Sequence, residues 1–358
     1  MSTVVIIGSS FAGLAIARIF AKLDNSFKIT FISPSDKFYP VPLTPKLAVD
    51  TSHVILEEIN STILKDSPAK FIKGLVLEID PSKNQVITTA EEKIVKYDYL
   101  FIASGTKTNN HAFKCYDSLD KSVAALKAIE EGLATAKKVA VIGGGPTGIE
   151  MAAEAIDRFS DLKVDLYTGT EHPAMFFGQR RRLGTETKLA TIGVNVINGK
   201  YVKEFSTTSL VVDGKTVDYD LVIDCTGGKP NSEFIPAELL DDKGRLITNE
   251  YFQTKYDNIY GFGDIVAITP NTISELVIYS AKTLKSVIQV DILKQKTKKI
   301  PYGNKKGTLV IMIPITNRMG VGEAFGFPIP SWIIAWYKGK GTTEEKAHHL
   351  LGFFDRLP

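Results

Sequence analysis

The run of strands and helices in this sequence predicts an α/β protein built from two parallel-sheet βαβ units, a small antiparallel meander and a C-terminal α+β segment. Three features carry that prediction. Val4–Ile7 and Val139–Ile142 are apolar runs, and each passes through a glycine turn into an Ala-rich helical stretch. A second apolar strand follows each helix, Ile29–Ile32 in the first case and Val164–Tyr167 in the second. A late strand, Ile259–Gly261, runs into Phe262-Gly263-Asp264 and returns the chain to the first unit. Strands buried on both faces read as continuous apolar runs, and their alternation with helices makes a parallel sheet.

The remaining elements fit that frame. Phe71 to Ile94 alternates in short strands broken by Asp80-Pro81-Ser82, which predicts the meander. Tyr99–Ile102 ends in Ala103-Ser104-Gly105, and Leu221–Ile223 is followed by Cys225-Thr226-Gly227-Gly228. A long helix is expected from about Ser274 to Lys294, then a lysine-rich connector with Pro301 and Gly303. The last stretch is strand-like, then apolar and aromatic around Pro328 to Tyr337.

Composition narrows the function classes. The 358 residues are 44% hydrophobic and 23% charged, as in ordinary globular proteins, and the net charge is only +3. That balance argues against an obligatory nucleic-acid partner. Cys115 and Cys225, the two cysteines, are far apart, which excludes a disulfide framework and a C-x-x-C pair. No apolar run reaches the ~18 residues of a membrane span. The strand at Val4 leaves no room for a leader, and Ser2 stands where myristoylation needs glycine. A reducing, cytoplasmic setting is expected.

The second glycine turn is complete, with Gly143, Gly145 and Gly148. In such turns the first glycine permits the tight bend, the second lets the backbone approach a pyrophosphate, and the third lets helix and sheet pack closely. Free N–H groups and the helix dipole then favour phosphate. The first turn keeps Gly8 and Gly13 but has Ser10 in the middle place. Ser33 stands where an acid would bind a ribose hydroxyl, and Asp36 three residues on is a substitute. On its own, this first turn fits a plain Rossmann-like bend as well as a cofactor site. The ordered series is more specific than either turn: two dinucleotide motifs, each with a strand ending in a small-residue and glycine turn (Gly105, Gly227), then Gly263-Asp264.

That order resembles the two-dinucleotide flavoproteins, in which an FAD domain carries an inserted nicotinamide domain. Within them the chain resembles the apoptosis-inducing-factor-2 branch, the ferroptosis-suppressor-type quinone reductases, and in particular fungal members. The likeness rests on GGGPTGIEMAAE from Gly143, FIKGLVLEID from Phe71 and NRMGVGEAFGFPIPSWIIAWYKGK from Asn317, and so spans most of the chain. It implies an FAD domain over 1–113 and 233–305, an NAD(P) domain over 114–232 and a quinone- or membrane-facing segment over 306–358. It also implies an FAD site of Gly8, Ser10, Gly13, Lys46, Val76 and Asp264, with Asp264 on the ribityl chain; the plain alternative for Asp264 is a cap on the next helix. Lys46 stands where the family has arginine, and a lysine neutralises phosphate without the bidentate fork. Glu150, after the third glycine, and Lys338, from the C-terminal segment, are implied to approach the nicotinamide and flavin as the catalytic pair. Glu154, one helical turn beyond Glu150, is the second-choice carboxylate.

Cofactor choice stays open at this level. Thr168 replaces the acid that would favour NADH, Glu171 lies nearby, and Arg180, Arg181 and Arg182 suit either a 2′-phosphate or a solvated helix face. With no dithiol and no His/Cys metal cluster, the electron acceptor is expected to be a small molecule meeting the flavin directly: a quinone, another diffusible oxidant or oxygen. The resemblance favours quinone. The rival class is a flavin-loaded redox-sensing or death-signalling protein that binds nucleic acid through lysines 294, 296, 298, 299, 305 and 306. Trp332 and Trp336 share one face of a short apolar helix, followed by Lys338 and Lys340. That helix either packs its rings on the flavin domain or touches a membrane surface.

Overall fold

In the computed structural model the described residues are 2–24, 26–54, 56–268, 272–303, 310–339, 345, 346, 350, 352 and 354–358. Thr3–Ile7 lies at the centre of a five-stranded parallel sheet, between Lys28–Ser33 and Tyr99–Ile102, with Lys70–Lys73 and Ile259–Gly261 at the edges. Its register pairs Val4 with Ile29 on one side and with Tyr99 on the other. Alternate residues serve opposite faces. Val4 and Ile6 join Leu14, Ile16 and Phe20 of the helix Phe11–Leu23, together with Leu284 and Ile288 of the late helix. Val5 and Ile7 join Ile79, Val86 and Val95 of the predicted meander, Val76–Asp80, Gln85–Thr88 and Ile94–Lys96. The strand is therefore apolar throughout because both of its faces are covered.

The second unit repeats this plan. Lys138–Ile142 pairs in parallel with Lys163–Tyr167 and Leu221–Asp224, and Val194–Ile197 forms the far edge. Val139 and Val141 pack with Ile149, Ala152 and Ala153 of the helix Pro146–Arg158. Ala140 and Ile142 pack with Leu210 from a second antiparallel ribbon. The two chain crossings between the units, Thr106–Thr108 and Gly227–Pro230, pair antiparallel with each other.

The long helix appears where it was expected, Ile273 through Ile292, with two π turns inside it at Leu276–Ser280 and Ile288–Ile292. Its cap is Thr272, whose hydroxyl accepts from the Glu275 N–H at 3.1 Å. Asp264 is therefore not that helix's cap. The C-terminal segment forms a hairpin, Val310–Ile315 with Met319–Ala324, on which the helical stretch Ser331–Gly339 packs through Ile334. Gly320 and Gly322 make room for Ile334: a Cβ on either would approach it to 2.4 Å or 2.8 Å. The expectation that this helix buries its tryptophans is overturned, because Trp332 is 69% and Trp336 66% exposed. Ile334 and Ala335 take the inward positions instead.

Each helix that follows a glycine turn touches that turn with almost no space between. A Cβ on Gly13 would lie 1.9 Å from the Gly8 carbonyl oxygen, and one on Gly148 would lie 1.9 Å from that of Gly143. Backbone rather than a flexible side chain is the obstacle, so the helix itself must move. Gly148→Ala is expected to lower stability by about 1–3 kcal/mol or more through overpacking. Urea unfolding beside the wild-type chain measures it, and equal midpoints would refute the close-contact account.

Candidate functional site

The first cleft opens where the first glycine turn leaves the sheet and encloses about 560 Å³. Gly8 has φ +99°, a left-handed conformation that glycine adopts without strain, and its N–H donates to the Ile32 carbonyl at 3.0 Å. Ser10 begins the helix: its carbonyl accepts from the Leu14 N–H at 2.9 Å, and its hydroxyl makes no capping hydrogen bond. The helix's first N–H groups are thus without intrahelical partners, at a cleft lined by Gly8, Ser9 and Ser10. That is the chemistry of an anion site.

Ser33 also lines this cleft, as does Val76 from the edge of the meander. Ser33 is buried, with its Oγ 2.7 Å from Ser9 Oγ, and Ser9 Oγ donates to the Ser35 carbonyl at 2.9 Å. Asp36 does not replace the missing acid. It forms an ion pair with Lys73 at 2.8 Å and stands off the cleft wall, where Ser35 and Lys37 are found. Gly105, at φ +65°, turns the chain beside Ser104, and its carbonyl accepts from the Asn231 N–H at 2.9 Å. Asp264 sits at the end of the neighbouring strand, after Gly263, whose φ is +82° and where a Cβ would meet Ala12 Cβ at 2.6 Å. That turn therefore rests on the start of the first helix. Lys114 Nζ is 3.0 Å from Asp264 Oδ2 and also donates to the Thr106 hydroxyl. A long cleft with a free helix N-terminus at its turn fits an extended dinucleotide such as FAD.

The second groove, about 350 Å³, lies at the other turn. Gly143 has φ +122°, and its N–H donates to the Tyr167 carbonyl at 2.8 Å, the counterpart of the Gly8 bond. Gly145 is extended, and a Cβ there would meet nothing within 4 Å. The protein itself therefore tolerates a side chain at that middle position, which accounts for Ser10 in the first turn. Gly227, at φ +135°, lines the same groove, and a Cβ there would strike Thr108 Cα at 2.7 Å. None of Arg180, Arg181 and Arg182 is on the groove wall. Arg181 pairs with Glu323 at 3.1 Å and donates to the Gly326 carbonyl, while Arg182 donates to the Phe177 and Met175 carbonyls. Arg180 and Glu171 are exposed and off the groove.

Glu150 and Lys338 come together across the third cavity, about 410 Å³. Glu150 stands on the first turns of the second glycine-motif helix, and Lys338 arrives from the C-terminal helix. Lys338 Nζ is 3.6 Å from Glu150 Oε1 and donates to the Met312 carbonyl at 2.7 Å. Pro42, Leu43, Ile311, Met312 and Pro314 supply apolar wall. The Glu150 side chain is only 12% exposed. Burial raises its carboxyl to about 7; Lys338 and Lys346 pull it down, and Glu154 pushes it up. Glu154 is likewise raised by burial.

Lys46 belongs to this cavity rather than to the first cleft. Its short helix, Thr44–Leu47, carries it to the side where Glu154 lies, away from Gly8 and Ser33. Lys346 had no signal in the sequence. It is buried, donates to the Gly339 carbonyl at 2.8 Å, and is brought down to about 8 by burial and by Lys46. The cavity thus gathers Lys46, Lys338 and Lys346 with Glu150 and Glu154.

Both cysteines are free thiols, and burial raises Cys115 to about 11 and Cys225 well above its ordinary value. Neither is a reactive thiolate. Among the described residues there is no cluster of His, Cys, Asp or Glu that would hold a metal ion. Of the lysine run, Lys299 is tied to Asp291 at 2.9 Å and lies over the Tyr251 ring, Lys294 donates to the Asp291 carbonyl at 2.6 Å, and Lys296 and Lys298 are exposed. Lys305, Lys306 and Lys340 lie outside the described residues.

Comparison with known proteins agrees with this geometry. The chain is 26% identical to ferroptosis suppressor protein 1 of Homo sapiens over 361 residues, 94% of this chain and 92% of that one. It is 24% identical to external alternative NAD(P)H-ubiquinone oxidoreductase B2, mitochondrial, of Arabidopsis thaliana over 328 residues, 76% of this chain and 55% of that one. In fold it matches the sulfide:quinone oxidoreductase of Aquifex aeolicus with a TM-score of 0.79 at 20% identity, covering 99% of this chain and 92% of that one. The pattern of the pyridine nucleotide-disulphide oxidoreductases matches residues 2–284, both glycine turns and the Gly263-Asp264 turn included, and the chain belongs to that family.

Proposed function

We propose that this chain is an FAD-dependent NAD(P)H oxidoreductase whose electron acceptor is a quinone. The observation that carries this reading is the meeting of Glu150 and Lys338, 3.6 Å apart, on an apolar cavity lined by the start of the helix that follows the second glycine turn. Relatives whose names include NAD(P)H-ubiquinone oxidoreductase support it. FAD, when bound, supplies the two-electron carrier between nicotinamide and quinone.

The chain's own residues divide the remaining work. Gly8, Ser10 and the helix start at Phe11 hold the FAD pyrophosphate, with Gly13 permitting their approach. Asp264, steadied by Lys114, takes the ribityl chain. Ser33 and Gly105 shape the cleft, and Val76 closes its far wall. Gly143, Gly145 and Gly148 hold the nicotinamide dinucleotide in the same manner, and Gly227 keeps the neighbouring strand end clear. Lys46 acts as a cation of the acceptor cavity. Lys338 would offset negative charge developing on the acceptor, and Glu150 would hold a proton on its carboxyl for transfer to it. The apolar wall excludes water and strengthens both effects.

The C-terminal segment exposes four aromatic rings, those of Phe327, Trp332, Trp336 and Tyr337. We read it as the face that rests on a membrane and admits a quinone, since aromatic rings suit the interface. No helix among the described residues is long and apolar enough to cross a membrane.

Four outcomes are expected. The purified chain carries non-covalent FAD, seen as a flavin absorbance and a higher melting temperature with added FAD; saturating FAD with no effect on either defeats the reading. Glu150→Gln and Lys338→Met each slow turnover with a soluble quinone by at least about tenfold, ~1.4 kcal/mol of barrier, with FAD retained. Wild-type turnover falls as pH rises through about 7, as Glu150 gives up its proton. Lys338→Met removes a charge that lowers Glu150, so that fall moves to higher pH, and an unmoved profile returns Lys338 to a structural role. Finally, intact protein floats with anionic liposomes, and Trp332→Ser/Trp336→Ser, with turnover on a soluble quinone preserved, does not. Equal flotation would remove the membrane face.

A further inference from the structure

Where the strand Lys163–Tyr167 ends, this fold faces the adenosine ribose of a bound dinucleotide. A carboxylate there accepts bonds from the 2′-hydroxyl and repels a 2′-phosphate. Here the position is Thr168, which is 6% exposed. Its hydroxyl is turned inward and donates to the Thr170 carbonyl at 2.6 Å. Glu171 does not line the groove, and no other carboxylate does among the described residues. Two lysines line it, Lys200 and Lys229. A ring is also present: Tyr201 is 70% exposed, and its Cδ2 lies 3.3 Å from where a Gly169 Cβ would be. An exposed aromatic face across the strand end is a platform for a purine.

We propose that this strand end is a 2′-phosphate subsite, with Lys200 as its main cation and Tyr201 as the adenine platform, so that the chain prefers NADPH to NADH. This rests on the reading that the Gly143–Gly148 turn holds a nicotinamide dinucleotide. Lys200 now pairs with Asp213 at 2.5 Å, and both side chains are exposed, 43% and 63%. Asp213 is the tip of a tight turn, at φ +51° before Gly214. An exposed pair of this kind is weakly held, and a phosphate dianion outcompetes one carboxylate for the ammonium. Lys229, on the ribbon between the units, lines the same groove and adds a second positive charge.

The test uses the FAD-loaded chain and two probes without a nicotinamide ring, 2′,5′-ADP and 5′-ADP, measured by calorimetry. 2′,5′-ADP is expected to bind about tenfold more tightly or better, as a charge-assisted contact provides. Lys200→Ala removes that margin and leaves 5′-ADP binding unchanged, whereas Lys200→Arg keeps it. Thr168→Asp reverses the preference, and kcat/KM for NADPH over NADH falls in Lys200→Ala and in Thr168→Asp alike. If wild type binds both probes equally, the subsite is overturned while the dinucleotide reading stands. If it binds neither, the dinucleotide reading itself fails. A margin that survives Lys200→Ala overturns the role of Lys200.

Discussion

Two backbone contacts hold this architecture in place: the helix at Gly13 against the Gly8 carbonyl, and the helix at Gly148 against the Gly143 carbonyl. Each leaves no room for even one carbon. Because helix and turn touch there, the helix axis meets the end of its strand at one angle and one height, and its unpaired N–H groups fall on the turn. Everything downstream uses that placement. The Gly263 turn leans on Ala12 of the first helix. On the second, Glu150 and Glu154 line the cavity they share with Lys338. The middle position of the turn is free of this constraint, so glycine there answers to a ligand and not to the fold.

The frame of the molecule was legible because its signals are local. Apolar runs, glycine spacing and turn residues each act within a few positions of where they stand. The Glu150–Lys338 pair was legible only through resemblance, since no spacing rule connects two residues so far apart. What escaped were choices made by partners elsewhere in the chain. Arg181 and Arg182 suited either a 2′-phosphate or a solvated helix face, but Glu323 and nearby carbonyls claim them. Asp36 looked like a spare ribose ligand, but Lys73 occupies it. Lys46 sits on a helix that delivers it to Glu154 rather than to the first turn. Lys346 has no pattern around it that marks a buried amine. The tryptophans were ambiguous for another reason: apolar content does not say which face of a short helix meets the core, and the small Ile334 side chain, matched to Gly320 and Gly322, packs there instead.

The cavity proposed for the acceptor gathers five ionisable groups inside an apolar wall, and their mutual effects set its character. Burial raises the two carboxylates and lowers Lys346. Opposite charges partly cancel that effect, so Glu150 comes to rest close to neutrality. A carboxyl in that balance exchanges its proton readily, and each neighbouring lysine tunes the balance.

The antiparallel pairing of Thr106–Thr108 with Gly227–Pro230 has a kinetic consequence. The first sheet must join Tyr99–Ile102 to Ile259–Gly261, strands separated in the chain by the whole second unit. Closing so long a loop is slow, because its entropy is lost before the contact rewards it. Once the second unit has formed, its two ends lie side by side, with Lys107 opposite Lys229. The loop still to be closed then shrinks to the segments outside that ribbon, 103–105 and 231–258. The inserted unit thus acts as an internal clamp that shortens the loop its host sheet has to close.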